Sequence, residues 1–358
     1  MIKPLTSLRF IFAFMVFTSH LSFFEESRSG ILTRIYNSVL HEGYIGVSFF
    51  FILSGFILAY NYQDGILKNR ESIKKFYLAR FARIFPLHIL TLIISIPLSY
   101  GIFMEDRSIW LSQLVTNLPL MQSYIPVKSI YFSFNAPSWS ISDEMFFYLV
   151  FPFLILLITK VRVFKSFFVL SIIGIVPLLT FVVPEAYYHQ IFYINPFLRV
   201  VDFMIGIFIF NIYLSFSKKE RSINYTYLEV SSVLLLVVFF VFHRLIPTVA
   251  RFSFYYWIPM CYLIFSFSFQ RGKVSVLLSN KMCFYLGEIS FGFYLFHQLV
   301  LRYFLVINTK FLGIASDFVI AMVVFAISLV ISHYSFVLFE RPMNGYIKAL
   351  KESKANTP

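Results

Sequence analysis

Residues 8–24 read LRFIFAFMVFTSHLSFF, an apolar run long enough to cross a bilayer. Two ionisable side chains interrupt it, Arg9 near its start and His20 near its end, about three helical turns apart. Ionisable groups inside membrane spans are costly, and they usually face a cavity and mark function. The alternative is that Arg9 extends to the membrane interface and His20 caps the outer end. The run therefore predicts a membrane helix and makes both residues candidates for a functional polar path.

The composition extends this prediction to the whole chain of 358 residues. Only 13% of the residues are charged, whereas a soluble domain carries about a quarter. The mean hydropathy of +0.79 indicates several membrane spans. Runs such as VSSVLLLVVFFVF at 230–242 lack the alternation of barrel strands. The predicted fold is an all-α, polytopic integral membrane bundle that contacts membrane lipids.

The formal net charge of +13 does not indicate a nucleic-acid partner. Lys and Arg cluster in short segments between the apolar runs, as the positive-inside rule predicts for a membrane protein. Their bias favours cytoplasmic positions for both termini. The two cysteines, Cys261 and Cys283, form neither a disulfide framework nor a metal-ligand set, so no metal is expected. The N-terminus has no small-residue cleavage site, which favours a retained first span over a signal peptide.

Hydropathy places about ten spans within one membrane domain at residues 1–342, followed by a short basic cytoplasmic tail at 343–358. The expected spans are 7–24, 44–61, 84–103, 144–159, 167–183, 197–214, 228–246, 252–269, 286–306 and 316–339.

Two stretches are candidates for binding an anionic ligand. LARFARIFPLH at 78–88 places Arg80 and Arg83 three residues apart, as neighbours on a helix surface at the cytoplasmic mouth. They form either an ordinary positive-inside cluster or a phosphate site, to which the planar arginine fork is suited. GYIGVSFFFILSGFILAY at 43–60 contains Ser54 and Gly55, which either permit close helix packing or leave room for a ligand chain.

Two further stretches carry candidate catalytic groups. In APSWSISDEMFFYLVFP at 136–152, Glu144 either complements the helix dipole or orients the His20 imidazole, with Asp143 as its competitor. In LGEISFGFYLFHQLV at 286–300, Tyr294 and His297 share a helix face. Tyr294 could donate to an acyl oxygen. We interpret His297 as a core histidine in preference to a second polar wall.

Together these stretches resemble acyltransferase family 3, a family of membrane-bound acyltransferases. The sequence has the opening Arg followed, after ten intervening residues, by His; Ser-Gly-Phe; Arg-x-x-Arg-Ile-x-Pro; Trp-Ser-x-Ser-x-Glu; Ser-Phe-x-x-Tyr-Leu-x-His; and a closing Glu-Arg-Pro. The matches extend over 5–342. The resemblance is to the stand-alone form, because nothing after the tenth expected span corresponds to the fused esterase-like domain of some relatives.

The resemblance implies that an acyl group, commonly acetyl, passes from a cytoplasmic coenzyme A thioester to a hydroxyl on an envelope or surface polysaccharide, or a lipid-linked sugar. The family's intramembrane histidine corresponds to His20, its arginine partner to Arg9, and its cytoplasmic arginine motif to Arg80 and Arg83. The implied location is a bacterial inner membrane.

These expectations combine into a mechanism. Acetyl-CoA would dock its phosphates on the arginines and extend its pantetheine arm towards His20, which would act as general base or as a covalent acyl carrier. Tyr294 or Ser142 would stabilise the oxyanion. The competing classes are a multi-span transporter of a sugar-linked or small polar substrate, which lacks support from any visible inverted repeat, and a scaffold with a degenerate site.

Overall fold

The computed structural model describes residues 1–160, 167–168, 171–218 and 223–347, and these residues form helices and turns without a strand. The α-helices in chain order are α1 Lys3–Ser19, α2 Gly30–Ile35, α3 Gly46–Lys68, α4 Arg70–Ser95, α5 Tyr100–Glu105, α6 Arg107–Asn117, α7 Lys128–Tyr131, α8 Ser138–Lys160, α9 Val176–Val182, α10 Pro196–Ser217, α11 Tyr225–Val241, α12 Thr248–Arg251, α13 Trp257–Ser268, α14 Lys273–Leu278, α15 Lys281–Ile307 and α16 Asp317–Ser335. Short 3-10 and π-helical turns link several of them, including Tyr36–Leu40 and His41–Ile45 between α2 and α3, and Phe336–Glu340 after α16.

The contacts divide the chain into two compact units, each built from three separate segments. Unit 1 contains Met1–Phe12, Ile45–Ile73 and Asp143–Glu288, and unit 2 contains Ala13–Tyr44, Lys74–Ser142 and Ile289–Pro358.

The described part of the chain contains six helical segments that are long and apolar enough to cross a membrane. The all-helical, multi-span membrane fold expected from the sequence is therefore present. The segments are Gly30–Lys68, Ser72–Glu105, Ser138–Thr159, Pro196–Ser217, Lys281–Leu312 and Asp317–Ile347, with Tyr225–Val241 as a shorter apolar helix. The expected span 167–183 falls partly, and the expected tail 343–358 largely, outside the described residues.

Three helix boundaries differ from the sequence prediction. Helix α1 ends at Ser19 where the apolar run continues to 24. Helix α4 begins at Arg70, so Pro86 lies inside the helix and not near its start. Helix α8 begins at Ser138, which places Glu144 beyond the first turn. For α4 and α8 the reason is that hydropathy detects only the apolar part of a helix, whereas hydrogen bonding extends the helix through adjacent polar residues.

The core of unit 1 is formed by close contact between α3 and α10. A Cβ on Gly55 would lie 1.9 Å from the carbonyl oxygen of Phe203, and a Cβ on Gly206 would lie 1.9 Å from that of Ile52. The two glycines therefore bring the helix backbones together, and packing alone explains Gly55. Its assignment to the donor site stays a prediction.

In unit 2, an aromatic cluster joins the end of α1 to α15 and α16. The Phe17 ring lies 5.7 Å from the Phe293 ring and 5.7 Å from the Phe325 ring, and Phe293 and Phe325 meet edge-on at 5.9 Å. Edge-to-face pairs at these separations stabilise a packed interior. This cluster fixes the last turn of α1, and His20 follows directly after that helix.

Candidate active site

The end of α1 is held by side-chain hydrogen bonds. Thr18 Oγ1 donates to the Met15 carbonyl and Ser19 Oγ donates to the Val16 carbonyl, each at 2.8 Å. Hydroxyls that bond the preceding helical turn satisfy carbonyls that a helix end leaves open. The Tyr36 hydroxyl then donates to the Ser19 carbonyl at 2.8 Å. His20 follows directly as a turn residue with a partly exposed side chain.

His20 forms a pair with His297 of α15. Its Nδ1 lies 3.0 Å from His297 Nε2, and the two ring centroids are 5.0 Å apart. His297 is 0% exposed. Its other ring nitrogen, Nδ1, lies 3.2 Å from the Phe293 carbonyl oxygen. His297 is therefore a buried histidine that bonds both the α15 backbone and the catalytic candidate.

Tyr294 lies one helical turn before His297 and faces the start of α8. Its hydroxyl is 2.7 Å from Ser140 Oγ, and it donates to the Pro137 carbonyl at 3.3 Å. Asn135 Nδ2 donates to the Leu295 carbonyl at 2.9 Å, which ties the same two segments together. Tyr294 is thus held in place near the histidine pair. Its role as a donor to an acyl oxygen stays a prediction.

Ser142 bonds the segment between α6 and α7. Its Oγ donates to the Leu120 carbonyl at 2.6 Å and lies 2.7 Å from Ser123 Oγ. Leu120 has a φ of 61°, a backbone conformation that non-glycine residues seldom adopt without support. These contacts make Ser142 a support for the strained loop, and its expected oxyanion role stays a prediction.

Unit 1 brings two other predicted residues together. Ser54 Oγ of α3 donates to Glu144 Oε1 of α8 at 3.0 Å, and the Tyr148 hydroxyl donates to the same oxygen. Ser54 and Glu144 are partly exposed, whereas Tyr148 is buried. A carboxylate oxygen can accept both hydroxyls, so the three side chains form one polar cluster. The expected role of Glu144 in orienting His20 stays a prediction.

The predicted arginines lie in helices. Arg9 is a partly exposed residue of α1 in unit 1, and Arg80 and Arg83 are one turn apart on α4 in unit 2. Arg83 Nη1 lies 3.8 Å from Glu340 Oε2, and the guanidinium is 5.1 Å from the centre of the Phe291 ring. A cation over an aromatic face is held by ring electrostatics as well as by its ion pair.

Comparison with known proteins assigns the family. The family model described as an acyltransferase domain matches residues 4–333. The chain belongs to acyltransferase family 3. The chain is also similar to the acyltransferase MdmB of Streptomyces mycarofaciens, with 30% identity over 327 residues that cover 84% of this chain and 79% of MdmB. No solved structure matches the chain.

Membership of acyltransferase family 3 confirms the resemblance read from the motifs and makes this protein an acyltransferase. Several partnerships of its candidate residues were not predicted, among them His20 with His297, Glu144 with Tyr148, and Arg83 with Glu340. The Glu144–Tyr148 pair had a local signal, the i,i+4 spacing on a helix. The other two join residues that are far apart in the chain, and no local pattern identifies them.

Proposed function

We propose that this family 3 acyltransferase moves an acyl group, most simply acetyl, from cytoplasmic acyl-CoA to a hydroxyl of an envelope or surface polysaccharide or a lipid-linked sugar. Family membership supports the reaction class. The observation that carries the mechanism is the partly exposed His20 imidazole, whose Nδ1 is hydrogen-bonded by the buried His297. A ring held through one nitrogen presents the other nitrogen in a defined direction, as a general base requires.

The reaction uses His20 as a proton carrier. Its Nε2 takes the proton of the acceptor hydroxyl while the hydroxyl oxygen attacks the thioester carbonyl. The tetrahedral intermediate collapses with cleavage of the C–S bond, and the imidazolium returns the proton to the departing thiolate. The products are an O-acyl ester and free CoA. Positioned proton transfer of this kind contributes roughly a hundred- to ten-thousand-fold in rate.

The donor is held by cationic side chains in this proposal. Arg80 and Arg83 of unit 2 bind the phosphates. Arg9, Ser54 and Gly55, which lie in unit 1, stay sequence-based candidates for contacts with the donor. The position of Arg83 supports this role, because its guanidinium lies over the Phe291 ring and 3.8 Å from the Glu340 carboxylate, while 25% of the Arg83 side chain is exposed. Arginine forks match phosphate oxygens in pairs.

The membrane setting belongs to the same proposal. The positive-inside bias of the sequence supports both termini in the cytoplasm of a bacterial cell, with ten spans in the inner membrane. In this arrangement one protein would take the acyl group from CoA on the cytoplasmic side and transfer it to an acceptor at the outer face.

A covalent variant also accounts for the site: the acyl group passes first to His20 or to a serine and then to the acceptor. Both versions need His20, and they differ in whether an acyl-enzyme accumulates when the acceptor is withheld. Trapping with labelled acetyl-CoA followed by acid quench separates them.

The test is acyl transfer by purified protein. We expect His20→Ala to abolish release of label from acetyl-CoA and acylation of the acceptor, with normal membrane insertion. The matched control is His333→Ala, because His333 is an exposed histidine of α16, and it should retain full activity. Full activity in His20→Ala would exclude the mechanism. If wild-type protein releases no label from acetyl-CoA with any sugar acceptor that is supplied, acetyl-CoA is excluded as the donor.

A further inference from the structure

We infer that His297 is a positioning residue for the proposed reaction, and that it fixes His20 in the tautomer that carries its proton on Nδ1. This inference rests on the proposed role of His20 and extends it. It assigns a specific task to a histidine that the sequence indicated as a core residue.

The argument begins at the carbonyl of Phe293. A carbonyl oxygen only accepts hydrogen bonds, so the His297 Nδ1 that lies 3.2 Å from it must carry a proton. A neutral imidazole has one N–H, and the Nε2 of His297 is therefore the acceptor. The atom 3.0 Å from that Nε2 is His20 Nδ1, which must be the donor. Neutral His20 then has its lone pair on Nε2, the nitrogen that acts as base.

The reverse assignment places two acceptors against each other. If His297 Nε2 carried the proton, its bare Nδ1 would face the Phe293 oxygen at 3.2 Å, and the lone pairs of two acceptors would repel each other inside the protein. A doubly protonated His297 would satisfy both contacts. It would also put a charge on a side chain with 0% exposure, and an uncompensated buried charge is expensive.

The surroundings of His297 agree with a neutral ring. The rings of Phe17, Phe293 and Tyr294 lie about its imidazole at 6.1, 6.1 and 6.0 Å between centroids. Aromatic packing on several sides limits rotation of the His297 ring, so the direction of its Nε2 lone pair is set by α15. His20 is the ring of the pair that is partly exposed, and it is the one that can meet a substrate.

The experiment combines two variants with a spectroscopic readout. His297→Phe keeps a ring of similar size and removes the acceptor. His297→Gln keeps a carbonyl acceptor near the position of Nε2 and cannot be an imidazole acid or base. Histidine-selective ¹⁵N labelling reports which nitrogen of each ring is protonated. Subtraction of the His20→Ala spectrum identifies His20 among the seven histidines.

We expect wild-type His20 to be protonated at Nδ1 and bare at Nε2. His297→Phe should release that tautomer and lower kcat by about a hundredfold, because a base in the wrong tautomer cannot accept the proton. The KM for acetyl-CoA should stay within threefold. His297→Gln should restore the Nδ1–H signal and bring kcat to within tenfold of wild type.

Four results would overturn the inference. The first is a wild-type spectrum in which His20 Nδ1 carries no proton. The second is a His297→Phe enzyme with wild-type kcat, and the third is an inactive His297→Phe enzyme whose His20 tautomer is unchanged. The fourth is an equal loss of activity in His297→Gln and His297→Phe. If His297→Phe does not fold, the wild-type spectrum and the Gln variant still decide. Failure of the proposed function gives a different pattern, because His20→Ala would then be active whatever His297 does.

Discussion

Arg83 of α4 and Glu340, at the end of the turn after α16, form a loose ion pair, with Nη1 and Oε2 3.8 Å apart. The carboxylate is almost fully buried, whereas a quarter of the arginine side chain is exposed. A direct charge-assisted hydrogen bond would be about 2.7–2.9 Å long. Glu340 thus lies close to the guanidinium without a direct hydrogen bond between the two charged groups, and in the proposed donor site the N–H groups of Arg83 would donate to an incoming anion.

The first prediction concerns this arginine. Arg83→Ala should raise the KM for acetyl-CoA by about tenfold or more, because a hydrogen bond to a charged group contributes about 1.5–3 kcal/mol. Arg83→Lys should recover only part of the loss, since lysine keeps the charge and lacks the planar fork. Glu340→Gln should not raise the KM, because it removes a competitor for the guanidinium. Initial rates over a range of acetyl-CoA concentrations measure each effect.

The control for these variants is Arg107→Ala. Arg107 is an exposed arginine at the start of α6 that lies over the Phe103 ring, so it matches Arg83 in its cation–π contact. Its donor KM should equal that of wild type. An unchanged KM in Arg83→Ala would remove Arg83 from the donor site.

The second prediction concerns Glu144. Glu144→Gln keeps the shape and one acceptor oxygen but loses the negative charge, and we expect kcat to fall by about a hundredfold if the carboxylate acts in proton transfer. Tyr148→Phe removes only one of its two hydroxyl partners. It should cost about 1 kcal/mol of stability and change kcat by a few-fold at most. Wild-type kcat in Glu144→Gln would leave the carboxylate as a structural acceptor for Ser54.

The helical membrane fold class is visible in the sequence, whereas the partnerships of the candidate site residues are not, and the roles of those residues stay predictions. The apolar run at 8–24 predicts a helix, which the structure places at Lys3–Ser19, and it singles out Arg9 and His20 because burial of charge in lipid is costly. The contacts between side chains of different helices cannot be predicted in this way. Ser54 meets Glu144 and His20 meets His297 only because separate helices pack together, and a single sequence carries no signal for those contacts.

The sequence also predicts helix boundaries poorly, because hydropathy does not detect the polar part of a helix. The expected third span begins at 84, whereas α4 begins at Arg70. The added turns are rich in charged residues. Such residues have good helix propensity, but they lower the mean hydropathy of a sequence window below the value expected for a membrane span. The polar extension is the part of α4 that includes Arg80 and Arg83.

The third prediction tests whether Gly55 serves packing. Gly55→Ala should lower the thermal midpoint in detergent, because its Cβ would meet the Phe203 carbonyl at 1.9 Å and overpacking costs about 1–3 kcal/mol. Gly101→Ala in α5 is the matched control, since nothing lies within 4 Å of its Cβ position. Alanine is favoured over glycine within a helix, so this control should be neutral or slightly more stable. Equal midpoints for the two variants would contradict the packing role.

The fourth prediction concerns a buried ion pair in unit 1. Arg199 and Asp202 are each 1% exposed, and Nη2 lies 3.0 Å from Oδ2. The guanidinium also donates to the Phe252 carbonyl at 2.7 Å and to Ser48 Oγ at 2.8 Å. The Trp257 indole N–H donates to Asp202 Oδ1. The guanidinium and the carboxylate therefore bond neutral groups in addition to forming an ion pair with each other.

Because either charge alone would be buried without compensation, Arg199→Met and Asp202→Asn should each destabilise the protein by about 3–5 kcal/mol. The double variant should lose much less than the sum, since no charge then remains buried. Thermal midpoints of the four proteins in one detergent give the coupling. Additive losses would show that the two side chains stabilise unit 1 through separate contacts, and that their charges do not depend on each other. The specific activity of the folded fraction should be unchanged in all four, because this pair holds α10 and lies outside the groups assigned to acyl transfer.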